Sequence, residues 1–452
     1  MSTPNYFRLS RDQVALLIHV EGAPRALLNM PVRVDLESEI DEAKALEALR
    51  LTVTRLPFCK IRLHELEDGS FEQYYSDEEP SGIELVDMSD KTAEDVDAYI
   101  LEKAGSPLPN DYNDVQLYEA KLIRTPGGKH TLYFNGYHLI MDSVGLITVI
   151  IYFDKVYNAL VNGTELPAPG IGPEKHIEKS WEYYESKRWF KDIEWWNAQF
   201  ATEPHFSSMN PRGSVEYIEG KNYGKAQTFD QLGGKSMPIR IAAETVQIIN
   251  DAAMKNNMSP QIYFALALRT WLSKMSGSDD VCFDTTGARR STHVEKECGM
   301  TVAHQVTWRS DISRDLSFTD ALKQLDISLK DMYRHIGVEM PFYIKPLNEK
   351  FALPDVCTYK TVVFTYQPYF TADAVGLKFS ANHVDTGFAF YPLYLNLMPH
   401  DDSGDLWADY LFSYDYLDEE NLKHFHEFML KFIMAGIQTP DKTIRELTEE
   451  TI

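Results

Sequence analysis

Residues 134–145 read FNGYHLIMDSVG, and how they are read decides the fold. The half before His138 closes an alternating run, VQLYEAKLIRTPGGKHTLYFNGYH (115–138), that predicts a hairpin across a Pro-Gly-Gly turn. The half after it opens DSVGLITVIIYFDKVYNALVNG (142–163), a mostly apolar helix with Asp142 or Ser143 at its cap. One imidazole and one carboxylate therefore stand four residues apart, between a strand end and a helix start. Such a turn can hold a side chain rigidly over a cleft.

The spacing His-x-x-x-Asp is weak by itself, because 13 histidines among this many acids produce chance matches. HELED is one of them: it sets Asp68 four residues after His64 in a hydrophilic turn that suggests no chemistry. Context is what separates His138 from His64. On pattern alone, a hydrogen-bonded structural histidine competes with a catalytic one.

Working outward, DEAKALEALRLTVTRL (41–56) places Ala45, Leu46, Leu49 and Val53 on one helical face. CKIRLHEL and SFEQYYS are strand-like runs joined by a turn. ELPAPGIGPEK (165–175) has the composition of a linker. Beyond it, KSWEYYESKRWFKDIEWWNAQF is aromatic-rich and helical, and two further helices follow, the second with Ser259 at its cap and Pro260 in its first turn. DDVCFDTTGA, MTVAHQVTWRS, YKTVVFTYQPYF and FYPLYLNLMPH are strands, and DEENLKHFHEFMLKFIMAG is the last strong helix. The expectation is an α/β (α+β) chain with mixed sheets in two lobes, 1–170 and 171–452.

Composition narrows the class. The 452 residues are 44% hydrophobic and 12% aromatic, ample for packed cores. The net charge of −24 argues against binding nucleic acid or an anionic membrane. No signal-peptide core and no run near the roughly 18 apolar residues of a spanning helix is found. Cys59, Cys282, Cys298 and Cys357 are scattered without CxxC pairs. A soluble protein of the reducing cytoplasm is expected.

The chain resembles a condensation domain of nonribosomal peptide synthetases, within the chloramphenicol acetyltransferase-like acyltransferases. That family carries His-His-x-x-x-Asp-Gly between a strand and a helix; here Tyr137 and Ser143 replace the first histidine and the glycine, while His138 and Asp142 match. Other stretches follow in family order. They are RLSRDQ (8–13), VTRLPFCKIRL (53–63), WFKDIEWWNAQF (189–200), GARRSTHVEKECGMTVAHQVTWRSD (287–311) and LFSYDYLDEENLKHF (411–425). The resemblance covers nearly the whole chain.

The resemblance implies two lobes in a V with a tunnel between them. A donor acyl thioester on a phosphopantetheine arm would enter from one face and an acceptor from the other. His138 would remove or position the acceptor's proton, work suited to a neutral imidazole. Asp142 would hold the loop by pairing with Arg62 or Lys60, and Tyr137 would be structural. Ser143 would add bulk where close approach or an unusual backbone angle is needed. Gly287, Arg289, Arg290 and His304 are tunnel candidates, a structural histidine being the competing reading of His304.

Other motifs weigh less. QLGGKSMPI (231–239) resembles the serine site of carrier proteins, but its surroundings read as a loop running into a strand, so Ser236 is not a site. His424 and His426 share a helix without sharing a face, a poor metal pair. No Walker loop, dinucleotide fingerprint or zinc spacing occurs, so no bound cofactor or metal is expected. The expected function is acyl transfer from a carrier-bound thioester to an amine or hydroxyl of a small-molecule acceptor, by a monomer. An acyl or peptidyl carrier protein is the partner, with free acyl-CoA as the rival donor. A non-catalytic recruitment domain is the rival from another class. GARRST and ESKRWFK are the basic patches where carrier or CoA would dock.

Overall fold

The computed structural model describes residues 4–108, 112–210, 215–218, 221–225, 232–354, 357–367 and 376–451. Parts of two stretches read above (231 of QLGGKSMPI and 368–370 of YKTVVFTYQPYF) lie outside the described residues. The first 186 residues contribute β1 (Phe7–Arg8), α1 (Arg11–His19), β2 (Asn29–Leu36), α2 (Glu42–Arg55), β3 (Ile61–Glu65) and β4 (Phe71–Tyr75). They continue with β5 (Glu84–Asp87), α3 (Ala93–Gly105), β6 (Tyr118–Thr125), β7 (Lys129–Tyr137), α4 (Ser143–Asn162) and α5 (Glu174–Tyr184). Next come α6 (Lys187–Gln199), β8 (Val215–Ile218), β9 (Lys221–Lys225), β10 (Gly234–Ile241), α7 (Ala243–Lys255), α8 (Pro260–Ser276), β11 (Asp280–Gly287) and α9 (His293–Glu297). The chain then forms β12 (His304–Asp311), α10 (Phe318–Arg334), α11 (Met340–Lys350), β13 (Cys357–Thr358), β14 (Val362–Tyr366) and β15 (Phe379–His383). It ends with β16 (Leu393–Met398), β17 (Leu406–Ser413), α12 (Glu419–Gln438) and α13 (Ile444–Thr451).

Two compact units result: Met1–Ser186 with Ala288–Ala303 and Phe370–Gly387, and the remainder. The division differs from the expected one at 170. The linker-like stretch is tied into the first unit, where Arg55 donates to the Pro167 carbonyl at 2.7 Å. α5 also stays with that unit: Ser180 Oγ accepts from Arg11 N at 3.2 Å and Trp181 Nε1 donates to the Leu9 carbonyl at 2.9 Å. Two segments of the second half belong to the first unit, a crossing to which local periodicity is blind.

In the first unit a mixed sheet runs β15-β2-β7-β6-β5, parallel only at β5–β6, beside a small sheet β1-β4-β3. β7 is central and buried on both faces. Leu132 and Phe134 join the core under α2 and α4, while Tyr133 packs with Val96 and Ile100 of α3. The turn between β6 and β7 is the expected Pro-Gly-Gly, with Gly127 and Gly128 at positive φ (76° and 73°).

α4 corrects one expectation: its 20 residues are long and apolar enough to cross a membrane. Leu146, Val149, Ile150, Phe153 and Val156 are instead spent on the core of the first unit.

The second unit is built on a six-stranded mixed sheet, β10-β17-β16-β14-β11-β12, parallel at β11–β14 and β14–β16. α8 is buried from Gln261 to Ser273, all the way round, in the manner of a central core helix. It packs against α7, α10 and α12. A smaller sheet, β13-β9-β8, completes the unit.

Candidate active site around His138

β7 ends at Tyr137, and the next four residues turn back on it, with Ile140 N donating to the Tyr137 carbonyl at 2.9 Å. His138 is pinned through its backbone at both ends. Its N–H donates to the Leu28 carbonyl at 2.8 Å, and its carbonyl accepts from the Thr301 hydroxyl. Asp142, not Ser143, caps α4, its Oδ1 accepting from Val144 N at 3.0 Å and Gly145 N at 3.3 Å.

The expected pairing of Asp142 with Arg62 or Lys60 is overturned. Lys60 pairs with the exposed Asp77 at 2.7 Å. Arg62 is buried and donates to the Cys59 and Ile61 carbonyls at 3.3 and 3.0 Å. Asp142 belongs to Arg290, whose Nη2 lies 2.7 and 2.8 Å from the two carboxylate oxygens. Val302 N and Ala303 N also donate to Oδ2, at 3.1 and 3.0 Å. Five donors from two distant segments thus saturate a carboxylate that is 3% exposed. The reason is charge: a buried carboxylate needs a buried cation, and Arg290, 5% exposed, is one.

Asp142 makes no hydrogen bond to the imidazole among the described residues, so the two do not form a His–Asp dyad. Burial pushes His138 below its ordinary pKa, and the nearby Asp142 charge opposes this only in part. The ring is therefore neutral at pH 7. Its Nδ1 is buried, close to the backbone of His138 and Met141, which also oppose the downward shift. Tyr137 is fully buried, 5.6 Å from the Tyr112 ring, its phenol held far above the usual pKa by burial.

Ser143 is the first residue of α4 and is absent from the positive-φ residues, so the position needs no glycine for its backbone angle. Close approach falls two residues later. A Cβ at Gly145 would overlap the carbonyl oxygen of Gly299, which has φ +63° and lies against Phe58.

Arg289 and Arg290 are both held in ion pairs within the first unit. Arg289, at φ 51°, pairs with Asp12 of RLSRDQ, whose other oxygen lies 2.9 Å from His176 Nε2. Consecutive arginines thus tie one returning segment to two buried acids, and GARRST offers neither side chain for docking. ESKRWFK retains exposed Lys187 and Lys191. Gly287 ends β11 where a Cβ would overlap Ile336, and His304 Nε2 lies 2.7 Å from the Ile336 carbonyl. Ser236 sits inside β10, a strand and not a loop. His64 pairs with Asp114 at 3.0 Å, not with Asp68. His424 is exposed and His426 buried, and no cluster of metal-binding side chains occurs among the described residues.

Residues 10–450 match the family described as Condensation domain. The chain belongs to the condensation-domain family. Among curated relatives it is 24% identical to surfactin synthase subunit 1 of Bacillus subtilis (strain 168) over 90% of its own length. It is likewise 24% identical to tyrocidine synthase 2 of Brevibacillus parabrevis over 77% of its length. The chain spans only 11% and 9% of those two proteins. Among solved structures, the first condensation domain of the calcium-dependent antibiotic synthetase, in complex with a substrate analogue, has the same fold. The TM-score is 0.81 at 17% identity, covering 98% of this chain and 99% of that one. VibH, an NRPS condensation enzyme, gives 0.74 at 15% identity, with 96% and 100% covered.

Proposed function

We propose that this chain forms an amide bond between an acyl or aminoacyl group, carried as a thioester on a phosphopantetheine arm, and an incoming amine. Condensation domains are amide-forming acyltransferases. The observation that carries the reading here is His138: a neutral imidazole on a turn fixed by Leu28, Thr301 and the Asp142–Arg290 pair. As the amine nitrogen bonds to the thioester carbonyl carbon, His138 takes or positions the proton that nitrogen loses. The C–S bond then breaks, and the departing thiolate receives a proton. General base help of this kind contributes about two to four orders of magnitude.

The donor is a carrier protein in this reading, in line with the peptide synthases among the relatives. Acyl-CoA presents the same arm, and the starter condensation domain of rhizomide synthetase has been solved in complex with C8-CoA. Cys59, Cys282 and Cys298 are buried and form no disulfide among the described residues, which supports a reducing compartment such as the cytoplasm.

The test is transfer from acyl-loaded carrier protein and from acyl-CoA to a panel of amines and alcohols, read by mass spectrometry. His138→Ala is expected to slow transfer by about two to four orders of magnitude. Undiminished transfer would remove the histidine from the chemistry. Carrier binding without transfer to any acceptor would make the domain a recruitment module.

A further inference from the structure

The six-stranded sheet of the second unit has two edges, and they are finished differently. β10 is an edge strand with Pro238 inside it and with exposed Lys235 and Arg240, the features that discourage further pairing. β12, the other edge, has no proline. Along residues 305–311, β11 takes one side of the strand, and the outward N–H and C=O groups have no partner among the described residues.

That open edge is the floor of a groove. Trp195 of α6 and Phe200, which follows the end of that helix, line one side, and Ile327 and Met332 of α10 the other, around a cavity of about 350 Å3. Ile327 is 59% exposed, an apolar side chain left in water on the groove wall. Asp311, which is exposed, adds a carboxylate to the lining, and Asp331 adds one already paired with Arg334, on a chain whose net charge is −24.

We propose that this groove takes an extended segment of another polypeptide, basic and apolar in alternation, added as a seventh strand beside β12. The three features call for different parts of such a segment. Its main chain would pair with the open ladder, its apolar side chains would cover Ile327 and Trp195, and its cations would face Asp311. Residues 305–311 are matched by a segment of roughly five to seven residues at about 3.3 Å each. Nothing in this inference depends on the chemistry proposed for His138.

The probe is a fluorescein-labelled peptide of three Lys-Val repeats, followed by anisotropy on the full chain. A copy N-methylated at alternate residues keeps the charge and loses the ladder. The proposal expects saturable binding, weakened at least tenfold by N-methylation and at least tenfold by Ile327→Lys. Met254→Lys, at an exposed position on α7 away from the groove, is expected to bind as wild type. Hydrogen exchange should slow at amides within 305–311 when the peptide is bound. Equal binding of the methylated peptide would reduce the effect to charge and overturn the proposal. So would unchanged binding by Ile327→Lys. Self-association of the free chain that Ile327→Lys abolishes would assign the groove to a second copy instead.

Discussion

Arg290 Nη2 reaches both oxygens of Asp142, at 2.7 and 2.8 Å, while the imidazole four residues before Asp142 makes no hydrogen bond to it. The acid of the motif is thus a clasp between α4 and the segment Ala288–Ala303, within one unit. Removing one partner of a buried ion pair strands the other, at a cost of about 3–5 kcal/mol. Arg290→Ala and Asp142→Asn are each expected to lower the unfolding free energy by that order, moving the denaturation midpoint down and transfer activity with it. Chemical denaturation beside initial rates checks this. Lost activity with an unmoved midpoint would give Asp142 a direct part in the chemistry.

The depressed pKa of His138 makes a pH prediction. The base must be neutral, so activity rises with pH through the folded-state pKa and levels off above it. Burial sets that pKa below the 6.5 of an ordinary imidazole, so the acid limb of kcat/KM should have its midpoint below 6.5. A midpoint above 7 in the free enzyme would mean that another group governs the profile.

Ser143 and Gly145 should respond in opposite ways. Ser143→Gly removes bulk from a first helical position with an ordinary backbone, so stability should change by less than about 1 kcal/mol, with transfer retained. Gly145→Ala drives a methyl group into the Gly299 carbonyl, a rigid backbone contact. It should cost roughly 1–3 kcal/mol, as overpacking does, and shift the His138 loop. Thermal melts and relative rates of the two variants decide it.

His426 is buried on α12, with Nδ1 2.9 Å from the Tyr410 hydroxyl, and burial pushes its pKa down to about 4. The unfolded chain binds a proton at 6.5 that the folded chain refuses, so stability is full above 6.5 and falls as pH drops toward 4. The loss from this one group is roughly 3 kcal/mol. Tm should therefore fall between pH 6.5 and 4, and His426→Gln should flatten that part of the curve. An equally steep curve in the variant would assign the acid sensitivity elsewhere.

Local sequence determined the strand–turn–helix around His138. The alternation through Tyr133 and Phe134, the Pro-Gly-Gly turn and a cap at Asp142 or Ser143 each act within a few residues, so each is legible along the chain, and the structure selects Asp142 as the cap. The same holds for the Ser259 cap. The partner of Asp142 was not legible in that way, because Arg290 lies 148 residues away and nothing in GARRST marks one arginine for a carboxylate. Nor was the return of Ala288–Ala303 and of β15 to the first unit, nor the open edge of β12. Periodicity reports which face of an element is apolar. Which buried charge meets which, and which strand is left without a neighbour, is decided only when distant segments pack and each desolvated group must find a partner.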